Sequence, residues 1–275
     1  MTPVCHRGIF LTDPVVSFVD ISIINKYVCS GSGARRLSYG DNRMMRCFSL
    51  AVCAGICWAG LAHSETKSFA IGDFNAIDVS AGIDVRFSTG QEPSAIAENP
   101  EGDFRDIEIS VRGDRLIIKR RKSFWNWGWG RRAAYQVTVT GDGVSAIQAS
   151  SGAGITGKGL RGEVVRIKVS SGAGAEIGDI VGTRVILQTS SGSSLTAEGT
   201  CQDVDAKASS GSDLAARGLE CEQADADASS GSSIRVYARS ALVADASSGA
   251  GIVVYGRPQN VVTDTSSGGS VVLRD

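Results

Sequence analysis

The residues best suited to contact a ligand lie in one stretch, KRRKSFWNWGWGRRAAY, at positions 119–135. Trp125, Trp127 and Trp129 alternate along it, so an extended backbone places all three indole rings on one side. Basic residues flank the rings: Lys119, Arg120, Arg121, Lys122, Arg131 and Arg132. Such rings can stack on sugars, lie at a membrane surface or contact a protein. The sequence predicts a binding hairpin, a cap over an open end of the fold, or a hairpin that does both.

A second group of residues with candidate chemistry is acidic. Asp227, Asp245 and Asp264 recur at one phase of a repeat, and Asp205 and Asp225 lie two positions earlier in their own repeats. Carboxylates stacked about 5 Å apart repel each other, and Ca²⁺ with oxygen ligands would relieve the repulsion. The calcium-binding nonapeptide repeat is absent, however. We therefore favour a solvated acidic face and predict no metal site and no cofactor.

An export signal precedes all of these residues. From Met44 the chain has a basic Arg46, an apolar run over 47–62 and a small-x-small site at 62–64, which is the pattern of a secretory signal peptide. The apolar run is too short and too rich in Gly and Ala for a membrane anchor. We predict a signal peptide over 44–64 that is cleaved before Glu65. Residues 1–43 lack periodicity, and we interpret them as a mis-called, unstructured N-terminal extension.

Cleavage at this point removes both histidines and five of the seven cysteines. Both histidines, His6 and His63, lie in the removed part, which excludes a Ser-His-Asp triad, a Cys-His pair and a His-ligated metal. Of seven cysteines only Cys201 and Cys221 remain. Six basic and three acidic residues lie in 1–64, so the exported part keeps 22 Lys/Arg and 26 Asp/Glu. This acidic balance gives no drive toward nucleic acid.

The element that must position the remaining residues is a repeat of 18–20 residues. Ser-Ser-Gly occurs seven times, starting at Ser150, Ser170, Ser190, Ser209, Ser229, Ser247 and Ser266. Apolar and polar residues alternate before each copy, and an apolar residue lies five positions after each first serine. A flexible Ser/Gly linker would not keep this register. The pattern predicts one coil of a parallel β-helix per repeat, with Ser-Ser-Gly at a corner.

Equivalent residues of successive coils should form columns, because neighbouring strands lie about 4.8 Å apart. We expect the serine hydroxyls to hydrogen-bond along the corner column and glycine to supply the backbone freedom of the corner. Cys201 and Cys221 each lie eight residues before a first serine, so they share one phase in adjacent coils. That phase brings their Cα atoms within disulfide range, and an oxidising compartment favours a bond over two free thiols.

Alternating strands precede the repeats. Two stretches there carry a family pattern: Phe74-x-x-Ile77-x-Val79-x-x-Gly82-x-x-Val85 and Gly113-Asp114-x-Leu116-x-Ile118. Together with the Ser-Ser-Gly-Ala/Ser repeats they resemble the head GIN domain family of auto-transporter adhesins, over about residues 68–275. The resemblance implies a right-handed β-helix exported by bacteria. It implies no defined ligand and no catalytic residue, and the adhesin role of the family is itself an inference.

We therefore expect an all-β chain, a right-handed parallel β-helix (solenoid) of about eight coils over 65–275, with 119–135 as a Trp-rich basic insertion. We expect a non-enzymatic, adhesin-like binding module in the periplasm or at the cell surface of a Gram-negative bacterium. A glycan, a membrane surface or another envelope protein is the expected partner. Two alternatives stay open: a β-helix enzyme acting on polysaccharide, for which such short returns leave little room, and a structural envelope protein that assembles end to end.

Overall fold

The computed structural model describes residues 65–90, 92–121 and 134–274, all of them in the second of two compact units, Trp58–Asp275. These ranges contain 18 strands and no helix. The strands are β1 (Glu65–Phe69), β2 (Ala76–Val79), β3 (Asp84–Thr89), β4 (Ser94–Asn99), β5 (Ile107–Arg112), β6 (Arg115–Arg120), β7 (Gln136–Gly141), β8 (Ala146–Ala149), β9 (Gly154–Lys158), β10 (Arg161–Ser170), β11 (Gly174–Ser190), β12 (Ser194–Ala208), β13 (Asp213–Ala228), β14 (Ser233–Tyr237), β15 (Ala241–Ala246), β16 (Gly251–Tyr255), β17 (Asn260–Thr265) and β18 (Ser270–Leu273). With no helix in the described ranges, none is available there to cross a membrane.

The strands stack in two sheets that meet at the Ser-Ser-Gly corners. The pre-corner sheet has the order β5-β6-β2-β8-β10-β11-β12-β13-β15-β17. The post-corner sheet has the order β1-β4-β7-β3-β9-β11-β12-β13-β14-β16-β18. Strands β10 to β13 are long because they also cross the return side of each coil. The result is an all-β solenoid of about six turns, which confirms the predicted class of fold.

The core lies between the sheets, and the alternation in sequence decides which residues enter it. Ile147, Ile167 and Leu187 stack in register and are almost fully buried, while the polar residues between the apolar ones point outward. Burying such side chains stabilises the fold by roughly 1.5–3 kcal/mol each. In later coils the same column is filled by Ala206, Ala226 and other alanines, which are equally buried.

Each corner is made by two consecutive residues in the left-handed region of backbone space. At the corner before β14, for example, Ser230 has a φ of 55° and Gly231 a φ of 68°. Glycine adopts this conformation without strain, but serine does not, so half of each corner carries a conformational cost. The degenerate corner follows the same rule with Ala81 and Gly82.

Backbone groups, not the expected column of serine hydroxyls, form the hydrogen bonds that run along the corner. Gly211 donates its N–H to the carbonyl of Ser230 in the next coil at 3.0 Å, and Gly231 donates to Ser248 in the same way. The hydroxyls that do take part belong to a different serine, one position after the glycine. Ser232, for example, accepts from the N–H of Ser229 and donates to the carbonyl of Ala208. The corner glycine adopts the positive φ that the turn requires, as expected, and backbone groups then form the hydrogen bonds between successive corners.

The two cysteines form the predicted disulfide. Cys201 and Cys221 are paired in register on the return side of adjacent coils, with Cα atoms 4.6 Å apart. The bond therefore joins neighbouring coils in the middle of the solenoid, across a sequence separation of 20.

The N-terminal end is threaded in an order that the sequence pattern does not reveal. Strand β2 lies between β6 and β8, and β3 lies between β7 and β9, so the later strands β6 and β7 form the outer layer. Beyond that layer, β5 pairs antiparallel with β6, and β4 pairs antiparallel with β7 and β1. The degenerate coil formed by β2 and β3 is thus enclosed between layers of later strands. Antiparallel strands end the stack beyond the outer layer.

Candidate functional site

The Trp-rich segment (119–135) departs from the outermost parallel layer. The described chain reaches Arg121 just after β6 and resumes at Ala134 just before β7. The remaining candidate residues lie outside the described residues: Lys122, Trp125, Trp127, Trp129, Arg131 and Arg132. The structure therefore fixes where the segment is attached to the solenoid.

The basic residues at the base of the segment differ in their surroundings. The Arg120 guanidinium lies over the Tyr135 ring, 4.9 Å from its centroid, and its Nε–H donates to the carbonyl of Ala81 at 2.9 Å. Lys119 Nζ lies 3.5 Å from a carboxylate oxygen of Glu108. Arg121 is exposed, and its backbone N–H donates to the backbone carbonyl of Asp106 at 2.7 Å. Lys119 and Arg120 hold the outer layer together, while the Arg121 side chain faces solvent.

The loop between β4 and β5 packs against the same end of the solenoid. Phe104 in this loop contacts the ring of the buried Tyr135, with ring centroids 6.4 Å apart, and the Tyr135 hydroxyl donates to the carbonyl of Asp103 at 2.8 Å. Fully buried Asn99 donates to the same carbonyl at 2.6 Å. Burial raises the pKa of Tyr135, and hydrogen bonds from Arg105 lower the pKa of Asp103 to about 2. Residues from this loop thus cover the core next to the Trp-rich segment.

The acidic residues form the expected outward columns on the pre-corner sheet. Asp227, Asp245 and Asp264 follow Lys207 in register, and Asp205 and Asp225 form the adjacent column. Burial, and then the charge of Asp205, raises the pKa of Asp225. The described residues contain no group of three or more His, Cys, Asp or Glu that could hold a metal ion.

Basic residues approach this acidic face. Arg184 of the preceding coil lies 3.5 Å from Asp205, and Lys207, two residues after Asp205 in β12, lies 3.9 Å from it. Arg184, Asp205 and Asp225 line an open hollow of about 240 Å³. The arrangement is that of a solvated, partly ion-paired sheet face.

Sequence reasoning missed an aromatic pair on the outside of the post-corner sheet. Tyr237 and Tyr255 stack in register, and the guanidinium of Arg217 lies 4.3 Å from the Tyr255 ring centroid. A hydrogen bond with Tyr237 raises the pKa of Arg239, whose guanidinium also lies 3.0 Å from Glu222. The signal was present in the sequence, because each tyrosine lies eight residues after a first serine.

Stacked serine-glycine corners, outward polar columns and an antiparallel end define an all-β repeat protein of the solenoid class. The chain belongs to the family described as "Putative auto-transporter adhesin, head GIN domain", whose pattern matches residues 73–258. This confirms the family resemblance. None of the curated proteins matches the chain significantly.

Several solved structures share this architecture. A "putative adhesin" from Bacteroides fragilis superposes with a TM-score of 0.65 at 14% identity, covering 77% of this chain and 96% of that one. A "putative lipid binding protein" from Parabacteroides distasonis gives a TM-score of 0.60 at 16% identity, covering 78% and 98%. A "putative adhesin" from Parabacteroides merdae gives 0.58 at 15% identity, covering 78% and 98%. At these identities the similarity establishes the shared fold.

Proposed function

We propose that this protein is an exported, non-enzymatic binding module of the bacterial cell envelope, and that the Trp-rich segment is its binding site. Membership in a family of adhesin-like proteins supports the binding role. The coils add support, since successive corners are short and alike in conformation, and the hollow beside Arg184 and Asp205 is open to solvent. A polysaccharide-degrading enzyme would need a cleft that brings acid and base groups together, and the carboxylates here are spread over an open sheet face.

One observation carries the choice of binding over capping. Phe104, Tyr135 and the buried Asn99 already pack at the end of the solenoid where the segment is attached. The strands β1, β4 and β5 extend both sheets beyond the outer layer that β6 and β7 form. A cap made of three tryptophans is therefore not required to finish the fold, which leaves their rings for a ligand.

Some residues of the site would support the base of the segment, and others would contact the ligand. Arg120 is engaged by Ala81 and Tyr135, so we assign it to the base of the segment. Arg121, Arg131 and Arg132 would supply charge beside the ligand, and the three indole rings would supply the apolar contact. Aromatic rings flanked by arginine suit sugar rings or lipid headgroups that carry negative charge.

The partner is a glycan, a membrane surface or another envelope protein, and the location is the periplasm or the cell surface of a Gram-negative bacterium. The name of the Parabacteroides distasonis neighbour supports testing lipid as well as sugar. Export through the signal at 44–64 predicts a mature N-terminus at Glu65, which mass spectrometry of the purified protein would check. For the fold we also propose right-handed winding, and that the layers beyond the six turns bring the number of coils to about eight. A crystal structure would decide both.

Binding to a glycan array and to lipid vesicles tests the proposal. The triple substitution Trp125→Ala, Trp127→Ala and Trp129→Ala should abolish binding and leave the melting temperature unchanged. Tyr255→Ala, on the solenoid surface away from the segment, is the matched aromatic control and should bind like the wild type. A triple variant that unfolds would assign the tryptophans to a cap. A triple variant that folds and binds normally would also refute the site.

A structural envelope protein that assembles end to end is the second candidate. The exposure of the last coil favours it, since Val262 is 64% exposed and Leu273 is 50% exposed.

A further inference from the structure

The last coil of the solenoid exposes apolar side chains that equivalent positions elsewhere bury or replace with polar residues. Seven large hydrophobic residues are exposed in the described ranges, and five of them belong to the last two coils. These five are Val243, Val261, Val262, Val272 and Leu273. Such a concentration at one end marks a contact surface, because exposed apolar residues are normally scattered.

The outer edges of the last two strands also lack a partner among the described strands. Strand β17 pairs only with β15, and β18 pairs only with β16. The strands contain no proline and no lysine, and Asp264 is their single charged residue. Protein sheets usually block exposed edges with such residues, so two unblocked edges point to a partner that covers them.

The covering partner must pair with the open edges of two strands, β17 and β18, at the same time. Val261 and Thr263 of β17 lie in register with buried Leu242 and Ala244, so they face the core side of the coil. Val271 and Leu273 of β18 likewise stack on buried residues of β16. A single added strand would cover one edge and leave the other open. The partner therefore presents two edge strands that meet at a similar corner.

The opposite end of the solenoid does not match this description. Its outermost strands, β5 and β1, are joined to their sheets in antiparallel fashion, and the loop containing Phe104 and Asp103 packs across the core there. A head-to-tail chain of copies would set these unlike surfaces against each other. The last coil of a second copy does present two edge strands that meet at a corner. A two-fold rotation about an axis through that corner places the two last coils face to face.

The register of such a pair follows from the corner. A two-fold axis through Ser267 lays β17 of one copy antiparallel on β18 of the other. Val261 then lies opposite Leu273 of the second copy, and Thr263 lies opposite Val271, so core-facing residues meet core-facing residues. On the outside, Val262 lies opposite Val272 of the second copy. No like charges are opposed, because Asp264 lies opposite Ser270.

We propose that two copies of this protein close each other's last coil and form a two-fold symmetric dimer in this register. The interface is self-complementary, so this contact by itself joins two copies, and longer end-to-end assembly would need a second contact elsewhere on the chain. It leaves the points where the two Trp-rich segments attach, Arg121 and Ala134 of each copy, at the ends remote from the interface. The dimer does not depend on the proposed ligand-binding role.

Sedimentation equilibrium of the protein purified from expression of the full chain tests the dimer. We expect a mass twice that of one chain at high concentration, with dissociation on dilution. Val262→Lys and Val272→Glu should each give a monomer with unchanged folding, because both side chains point away from the core of their own chain. The double variant Val262→Lys/Val272→Glu should dimerise again, because lysine then lies opposite glutamate in the other copy.

Two controls make the result specific to the register. Val262→Lys/Val272→Lys places like charges opposite each other and should stay monomeric. Val181→Lys changes an exposed valine on the return side, far from the last coil, and should stay dimeric. A wild-type monomer at every concentration would overturn the proposal. A dimer that ignores Val262→Lys, or a double Lys/Glu variant that stays monomeric, would do the same.

Discussion

Removing the Cys201–Cys221 bond tests how the coils of this solenoid are held together. The bond joins equivalent positions of adjacent coils and closes a loop of one repeat, with a sequence separation of 20. Because the two Cα atoms are already neighbours in the sheet, the bond adds little to the folded state. Its effect should come from the unfolded chain, which a cross-link prevents from exploring extended conformations.

The magnitude follows from the loop length. For a loop of this size the chain-entropy relation gives about 3 kcal/mol of stabilisation at 25 °C. In a domain of this length, each kcal/mol shifts the melting temperature by about 2–4 °C. Loss of the bond should therefore lower the melting temperature by about 6–12 °C.

Thermal unfolding followed by circular dichroism, with and without a reductant, measures the shift. The reductant should lower the melting temperature of the wild type and leave Cys201→Ala/Cys221→Ala unchanged. Any difference between the reduced wild type and the double variant then reports the packing lost at buried Cys221. A thiol assay confirms that reduction is complete. A reduced wild type that melts within about 2 °C of the oxidised protein would refute the loop-entropy reasoning.

Two further substitutions probe the corner and the acidic face. Gly231→Ala should lower the free energy of unfolding by about 1 kcal/mol, because a Cβ there meets no atom within 4 Å and the cost is only that of a φ of 68°. Chemical denaturation should show that loss, and Ser230→Gly should show none; equal midpoints for Gly231→Ala and wild type would contradict the strain argument. Asp225→Asn should stabilise the protein at pH 7, because a pKa raised above the ordinary 3.8 means that the charged carboxylate opposes folding. The difference should shrink as the pH falls through the raised pKa and vanish below 3.8, and a variant no more stable than wild type at pH 7 would contradict it.

The repeating part of the fold could be predicted because each coil carries the same apolar and polar alternation and the same Ser-Ser-Gly corner in its own sequence. Alternation assigns Ile167 inward and Lys168 outward, and the period aligns each residue with its equivalent in the next coil. The disulfide followed from the same phase, since two residues at equal distance from a corner must stack. The Tyr237–Tyr255 column obeys that rule too and could have been found in the same way.

For the candidate site, the sequence could predict the residue types but not their contacts. The alternating tryptophans and their basic neighbours stand out in the sequence, but nothing local shows that Arg120 turns back to Ala81, 39 residues earlier in the chain. Nor does the sequence show that Phe104 packs on Tyr135 at the base of the segment. These contacts decide which residues support the segment and which stay available to a ligand.

By itself, the sequence determined the solenoid class, the coil length, the inward and outward faces and the disulfide, because period and alternation are local properties that each repeat restates. Only the tertiary structure decided the order of layers at the N-terminal end, where β2 lies between β6 and β8. It also decided that backbone groups carry the corner ladder and that Val262 and Leu273 stay uncovered. Alternation tells a strand which face to bury but not which strand to pair with, and that choice depends on burying the whole core at once.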